Sequence, residues 1–224
     1  MAAMRLLALE TATHRLSVAL WDAGMVVERA AELPSGGSEW LLPTVQALLA
    51  EAGAGLKTLD GIAFGAGPGS FTGLRLAAGC TQGLAYGLDL PVMGINTLEA
   101  LAFASGEEKV FACLDARMNE VYIAAYAGGV AVLDPMVSPP AQVPLPAGDG
   151  WVGCGDGFAV FPTQLPAFAR IRADLRPTAT AVAQLAAPRF AHGEGLSAGQ
   201  AAPLYIRDKV ALTTAERLAR GGSK

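Results

Sequence analysis

Charge is scarce in this chain. Only 16% of its 224 residues are Asp, Glu, Lys or Arg, against 52% hydrophobic, which excludes a disordered polypeptide. The 16 Lys and Arg are outnumbered by 20 Asp and Glu, leaving a net charge of −4 and a pI near 5.2. Such a balance lacks the basic stripe that holds a phosphate backbone, so any role with nucleic acid runs through a partner. Long apolar runs are also missing: Gly, Pro or a charge interrupts each one before the roughly 20 residues of a membrane span. Met1 to Arg5 leads into no apolar h-region before Glu10, and the expected location is the cytoplasm. Three cysteines, Cys80, Cys113 and Cys154, are too few and too unevenly spaced for a disulfide framework and read as buried free thiols. The two histidines, His14 and His192, cannot form an H-x-x-x-H pair, and no compact Asp/Glu cluster supplements them. Neither a metal nor a cofactor is expected.

What is present is an α/β pattern written twice. Leu6–Leu9, Leu16–Trp21 and Met25–Val27 read as three short strands joined by tight turns, and Phe111–Leu114, Val121–Tyr126 and Val130–Val132 repeat the layout. The two stretches superimpose without a gap at an offset of 105 residues, the separation of Glu10 from Asp115. Leu9 then matches Leu114, Val18 matches Ile123, and Gly24 matches Gly129 at the second turn. Helical sequence after each unit makes the chain two tandem, duplicated β-β-β-α-β-α lobes, residues 1–104 and 105–224. In the first lobe a helix is expected over Ser38–Ala52, a strand over Leu59–Phe64, a loop over Gly65–Gly69, a helix over Ser70–Tyr86 and a strand over Pro91–Ile95. In the second, a proline-rich connection from Pro135 to Pro146 precedes Trp151–Gly153 and the glycine loop Gly153–Gly157. A helix over Thr180–Ala187, a last strand over Pro203–Ile206 and a frayed tail after Thr213 complete it.

Gly65-Ala66-Gly67-Pro68-Gly69-Ser70-Phe71-Thr72-Gly73 is the most distinctive segment. Its glycines permit close backbone approach, and a helix N-terminus there faces an anion in many proteins. It lacks the Lys-Ser/Thr of a Walker A loop and fits a dinucleotide fingerprint poorly. Ser70 follows Gly69 directly, so no G-x-S-x-G elbow is present. The following helix carries Gly73, Ala77, Ala78, Gly79, Cys80, Gly83 and Ala85, at about 0.8–1 kcal/mol per glycine relative to alanine. Close packing inside the chain, or a partner helix on the strip Phe71, Arg75, Gln82 and Tyr86, would offset that cost. Trp40 falls outside the apolar stripe of the preceding helix, either as an interface anchor or as a cover for the loop before it. Glu10 and Asp115 end equivalent strands, as acid/base groups do, or as carboxylates binding nearby turn amides do.

Five segments together carry a family resemblance: Leu9-Glu10-Thr11-Ala12-Thr13 with Ser17–Leu20, Ser38–Pro43, Gly67–Arg75, Leu114–Arg117 with Glu120–Tyr122, and Tyr205-Ile206-Arg207. In order from about Met4 to Val210, the chain resembles the TsaB family, bacterial tRNA threonylcarbamoyladenosine biosynthesis proteins of the actin-like (ribonuclease H-like) ATPase superfamily. The resemblance implies a non-catalytic subunit of the machinery that modifies the adenosine beside the anticodon in tRNAs reading codons that start with A. It implies a heterodimer with the paralogue TsaD, which performs the transfer, and recruitment of the ATPase TsaE. The tRNA is then only the substrate of the complex. A homodimer through the same helices is the further possibility.

TsaD-type chains carry two metal-binding histidines in an N-H-L-E-G-H segment, which here reads Asn96-Thr97-Leu98-Glu99-Ala100-Leu101. Neither position holds a metal ligand. The Asp usual in the first phosphate loop of the superfamily is Glu10, leaving Glu10, Thr11 and Thr13 as a vestigial phosphate loop, and the His common before Ser-Glu in TsaB chains is Gly37. The resemblance implies N-terminal-lobe helices packed into a bundle with the partner. The helical wheel then nominates Trp40, Leu41, Thr44, Ala47, Phe71, Gly73, Arg75, Ala78, Gln82 and Tyr86 for that interface. The enzyme alternative is a glycopeptidase-like hydrolase or a divergent kinase-type phosphotransferase, which would need a metal or an intact phosphate site.

Overall fold

The computed structural model describes residues 4–34 and 36–207. Two five-stranded mixed sheets follow one plan. The first is built from β1 (Arg5–Glu10), β2 (Arg15–Asp22), β3 (Met25–Glu32), β4 (Gly61–Gly67) and β5 (Val92–Asn96), in the order β3-β2-β1-β4-β5. The second uses β6 (Lys109–Asp115), β7 (Val121–Ala127), β8 (Val130–Ser138), β9 (Val152–Cys154) and β10 (Arg170–Arg172), in the order β8-β7-β6-β9-β10. In each, the first three strands are antiparallel and the last two join parallel to the first. The fold is the expected duplicated α/β architecture.

The helices are unequal. The N-terminal half has α1 (Gly37–Glu51), α2 (Phe71–Leu88) and α3 (Thr97–Ser105). Where α1 and α2 would recur, the C-terminal half has a single 3-10 turn, Pro140–Gln142, and the one-turn α4 (Gly157–Val160). The expected β-β-β-α-β-α order is thus abbreviated in the second lobe. Pro135, Pro139, Pro140, Pro144 and Pro146 withhold the amide donors that a helix in this connection would need. An aromatic cluster of Phe111, Phe158 and Phe168, with centroids 5.2 to 6.3 Å apart, covers that face of the sheet instead.

Alternation along the strands assigns the helices. On β1, β2 and β4 the large residues Leu7, Leu9, Val18, Leu20, Ile62 and Phe64 pack with Leu41, Val45 and Leu48 of α1 and with Ala77 and Ala85 of α2. The small ones, Ala8, Ala19 and Ala63, face the alanines of α5 (Ala179–Ala191) on the opposite side. Helix α5, from the C-terminal half, therefore covers the N-terminal sheet. Ser17 Oγ accepts its Ala179 amide at 2.8 Å and Glu28 accepts its Thr180 amide at 2.8 Å. In return, Leu98, Leu101 and Ala102 of α3 pack on Val110, Ala112, Leu114 and Tyr122 of the second sheet. The helices cross between lobes.

Several expected elements shift. The gapless repeat is off by one at its first strand: Leu9 pairs with Val18, but Cys113, not Leu114, pairs with Ile123. Leu9 faces its lobe's α1/α2 layer and Cys113 faces α4, whereas Leu114 points to the opposite face of its sheet. A one-residue slip exchanges sheet faces, so Glu10 and Asp115 are not counterparts. The loop expected over Gly65–Gly69 is strand as far as Gly67. Helix α5 continues past the expected end at Ala187 and through Pro188, because Phe190 of its last turn seats against Gly61 and Gly195. Pro203–Ile206 is not a strand; it is tied to β4 by the Leu204 amide, which donates to Ala66 O at 2.7 Å. Cys113 and Cys154 are buried free thiols, the latter raised to about 11 chiefly by burial, while Cys80 is half-buried against the N-terminal core. The tail after Thr213 lies outside the described residues. Among the described residues, no helix is long and apolar enough to cross a membrane.

Candidate functional site

Gly65, Gly69 and Gly73 are packed against their own chain, while Ser70, Phe71 and Thr72 between them are exposed. A Cβ on Gly65 would lie 2.0 Å from Glu10 Oε2, one on Gly69 2.6 Å from Ala12 O, and one on Gly73 1.9 Å from Thr11 O. Ser70 N–H donates to Ala12 O at 2.7 Å, and the Thr11 hydroxyl donates to Gly73 O at 2.7 Å. These glycines bring the start of α2 backbone-to-backbone onto the β1–β2 turn.

The same contacts occupy the expected phosphate loop. Glu10 and Thr11 are buried, and Glu10 Oε1 accepts the Ala12 amide at 2.7 Å. Glu10 Oε2 has no hydrogen-bond partner among the described residues, and burial raises the carboxyl to about 7. Thr13 Oγ1 is shared with the Arg15 backbone. A phosphate at this turn would need free donors, and the Ala12 amide and the Thr11 hydroxyl are both already engaged. The turn does not fit a nucleotide phosphate. Asp115 accepts the Arg117 amide at 2.8 Å and pairs with its guanidinium at 2.9 Å, so both strand-end carboxylates serve turn amides. These contacts lie beside an interlobe cleft of about 540 Å³, lined by Thr13, Ser38, Ser70, Asp115, Arg117 and Arg207 among others.

The metal-segment positions are also in structural use. Thr97 is buried and its hydroxyl accepts Gly67 N–H at 3.1 Å, while Leu101 lies in the core under the second sheet. Asn96 caps α3 through the Leu98 and Glu99 amides, and Glu99 pairs with Arg189. His14 pairs with Glu32 and His192 with Glu194; among the described residues no cluster of three or more His, Cys, Asp or Glu is placed to hold a metal.

The outward face of the α1/α2 layer presents a different chemistry. Phe71, Arg75, Gln82 and Tyr86 are exposed on one stripe of α2, Tyr86 at 83%. Interleaved with them are Gly79, Gly83 and Gly87, spaced four apart, whose added Cβ atoms would meet nothing within 4 Å among the described residues. On the adjacent α1, Ala47 is exposed and Leu42 is 42% exposed.

The other nominated residues belong wholly or partly to the chain's interior. Leu41 is wholly buried, Ala78 is 5% exposed and Gly73 is clamped by Thr11, so none offers a partner a surface. Trp40 is half-buried against the N-lobe core, because its large ring folds over the apolar stripe that the wheel set it beside. Thr44 is half-buried and donates to Trp40 O at 2.7 Å. Leu42, expected from its spacing on the apolar stripe of α1 with Leu41, Val45, Leu48, Leu49 and Ala52, is instead exposed, and Gly87 lies just past the expected helix end at Tyr86, although the Gly-x3-Gly-x3-Gly spacing was legible in the sequence.

Comparison with known proteins accords with this geometry. A family model described as "TsaD: tRNA N6-adenosine threonylcarbamoyltransferase" matches residues 33–143. The tRNA threonylcarbamoyladenosine biosynthesis protein TsaB of Escherichia coli is 36% identical over 93% of this chain and 96% of its own. TsaB of Haemophilus influenzae is 34% identical over 92% and 95%. Among solved structures, YeaZ from Pseudomonas aeruginosa superposes with a TM-score of 0.85 at 40% identity, covering 91% of this chain and all of that one. With the same two-lobed fold and whole-length identity above a third, this chain belongs to the TsaB family of tRNA threonylcarbamoyladenosine biosynthesis proteins.

Proposed function

We propose that this protein is a non-catalytic subunit of a tRNA threonylcarbamoyl-transferring complex, docking a TsaD-type paralogue on the α1/α2 face and helping to recruit the ATPase TsaE. It acts in the cytoplasm and leaves the tRNA to its partners, in keeping with its net charge of −4. The observation that carries this reading is the open glycine row. Gly79, Gly83 and Gly87 each cost α2 about 0.8–1 kcal/mol against alanine, and no contact among the described residues offsets it. A helix crossing at Gly83 would approach the α2 backbone closely, flanked by Phe71 and Tyr86 as apolar anchors and by Arg75 and Gln82 as polar ones. A second copy of this chain presents the same face, so a homodimer and the heterodimer would exclude one another. The engaged phosphate turn and the side chains at the metal-segment positions support a supporting rather than a chemical role, and disfavour the hydrolase and phosphotransferase alternatives.

Gly83 supplies a test in which fold and function move in opposite directions. Gly83→Ala is expected to stabilise the isolated chain by about 1 kcal/mol, read as a Tm rise of roughly 2–4 °C. Gly83→Leu is expected to leave the chain folded while lowering TsaD affinity at least about tenfold, since its side chain fills the space a partner helix would use. Reconstituted tRNA modification should need this chain and should fail with Gly83→Leu. Normal TsaD binding by both Gly83→Leu and Tyr86→Glu would overturn the docking face.

A further inference from the structure

Beyond α5 the chain returns across the N-terminal lobe. Leu196 and Val92 exchange backbone hydrogen bonds at 2.8 and 2.9 Å, and Leu204–Arg207 then line the interlobe cleft. Leu204 N–H donates to Ala66 O at 2.7 Å, and Leu204 O lies 2.9 Å from where a Cβ on Gly67 would be. Tyr205 rests on the first turn of α2: its ring is 5.9 Å from that of Phe71, and its hydroxyl accepts from Arg75 Nε at 3.2 Å. The Arg75 guanidinium in turn lies 3.8 Å over the Phe71 ring.

Arg207 crosses to the other lobe. Its Nη2 donates to Ala116 O at 3.0 Å and to Glu120 at 2.6 Å, and its guanidinium stands 5.8 Å from the Tyr122 ring. The arginine side chain is 14% exposed. The turn that receives it is unusual, with Arg117, Met118 and Asn119 all at positive φ (60°, 54° and 60°). Three successive L-residues in that region persist only where surrounding contacts hold them. Backbone pairing on one lobe, a charged clasp on the other and an aromatic contact on α2 are thus carried by the four residues Leu204 to Arg207.

We propose that Leu204–Arg207 is an interlobe latch that fixes the two lobes in one relation and completes the docking face with Tyr205, so that partner binding and latch closure reinforce each other. The coupling rests on the docking reading given above; the latch itself does not. Linkage requires the effect to be reciprocal: a partner that contacts Tyr205 tightens the latch, and loss of the latch weakens the partner by the same factor.

Hydrogen exchange on the full chain, alone and with purified TsaD-type partner, tests both parts. Arg207→Ala and Glu120→Ala remove the clasp from either side. Each is expected to speed exchange at the Leu204 amide by about tenfold or more, the scale of one charge-assisted hydrogen bond, while β1 amides stay protected and report an intact fold. Each should also lower partner affinity several-fold, and partner binding should slow Leu204 exchange in the unaltered chain. Unchanged Leu204 exchange in both variants overturns the latch. Faster exchange with unaltered affinity, while Tyr86→Glu abolishes binding, overturns the coupling. If Tyr86→Glu binds normally, the docking reading and the coupling fall together, and the exchange rates alone uphold or overturn the latch.

Discussion

Gly73→Ala is expected to destabilise the protein by about 3 kcal/mol, the range of an overpacked site that cannot relax cheaply. The added methyl would stand 1.9 Å from Thr11 O, a backbone atom at the end of a central strand. Relief requires either β1 or the first turn of α2 to move. Moving either endangers the Thr11 hydroxyl bond to Gly73 O and the Ser70 bond to Ala12 O. Chemical denaturation of the isolated chain measures the effect, with Gly83→Ala as control: the same added methyl in the same helix, with opposite sign. An unchanged midpoint for Gly73→Ala would show that the clamp between the β1–β2 turn and α2 yields freely.

A second large effect belongs to Glu10. Burial raises its carboxyl from 4.5 to about 7, against the lowering influence of the Ala12 and Thr11 amides. An acid whose pKa is higher in the folded state binds more protons there. Its contribution to stability is therefore intact below about pH 4.5, is lost as pH rises through that interval, and stays lost above about pH 7. The loss amounts to about 3 kcal/mol, since each tenfold change in proton affinity is worth about 1.4 kcal/mol. Glu10→Gln retains an oxygen for the Ala12 amide and carries no charge at any pH. The variant should match the unaltered chain near pH 4.5 and exceed its stability at pH 8 by an amount approaching that figure. Urea unfolding of both proteins across this range isolates the group, because every other titration is common to the two. Parallel profiles would mean that Glu10 finds water or a cation when ionised.

These two residues also show where sequence reading succeeds and where it stops. The Gly67–Arg75 segment, the three-strand units and helices α1 and α2 were legible because each is written in local spacing: alternation of two for strands, three to four for helices. Their purpose was not. Gly73 and Gly83 belong to the same helix and look alike in sequence, yet one abuts Thr11 O and the other faces open space. Leu41 and Ala78, nominated for a partner, are consumed by the chain's own core. Trp40 sits off its helix's stripe on the wheel, but a wheel carries no length, and the indole reaches back to the core. Likewise the repeat offset of 105 residues holds for Val18 and Ile123, but not for Leu9 and Leu114, because only the hydrogen-bond register reveals which residues oppose one another.

From sequence alone came the α/β class, the duplicated strand units, the absence of histidine from Asn96–Leu101 and the excess of acidic over basic residues. All are properties of residue identity or of neighbours within a few positions. Tertiary structure decided that α5 covers the N-terminal sheet, that the glycine segment clamps a turn rather than a phosphate, that Gly79, Gly83 and Gly87 remain open, and that residues 204–207 join the lobes. Each of these rests on contacts between residues far apart in the chain: Ser17 with Ala179, Thr11 with Gly73, Ala66 with Leu204, Glu120 with Arg207. Local propensity has no bearing on such distances; they are set when the two faces of each sheet compete for the side chains that fill them.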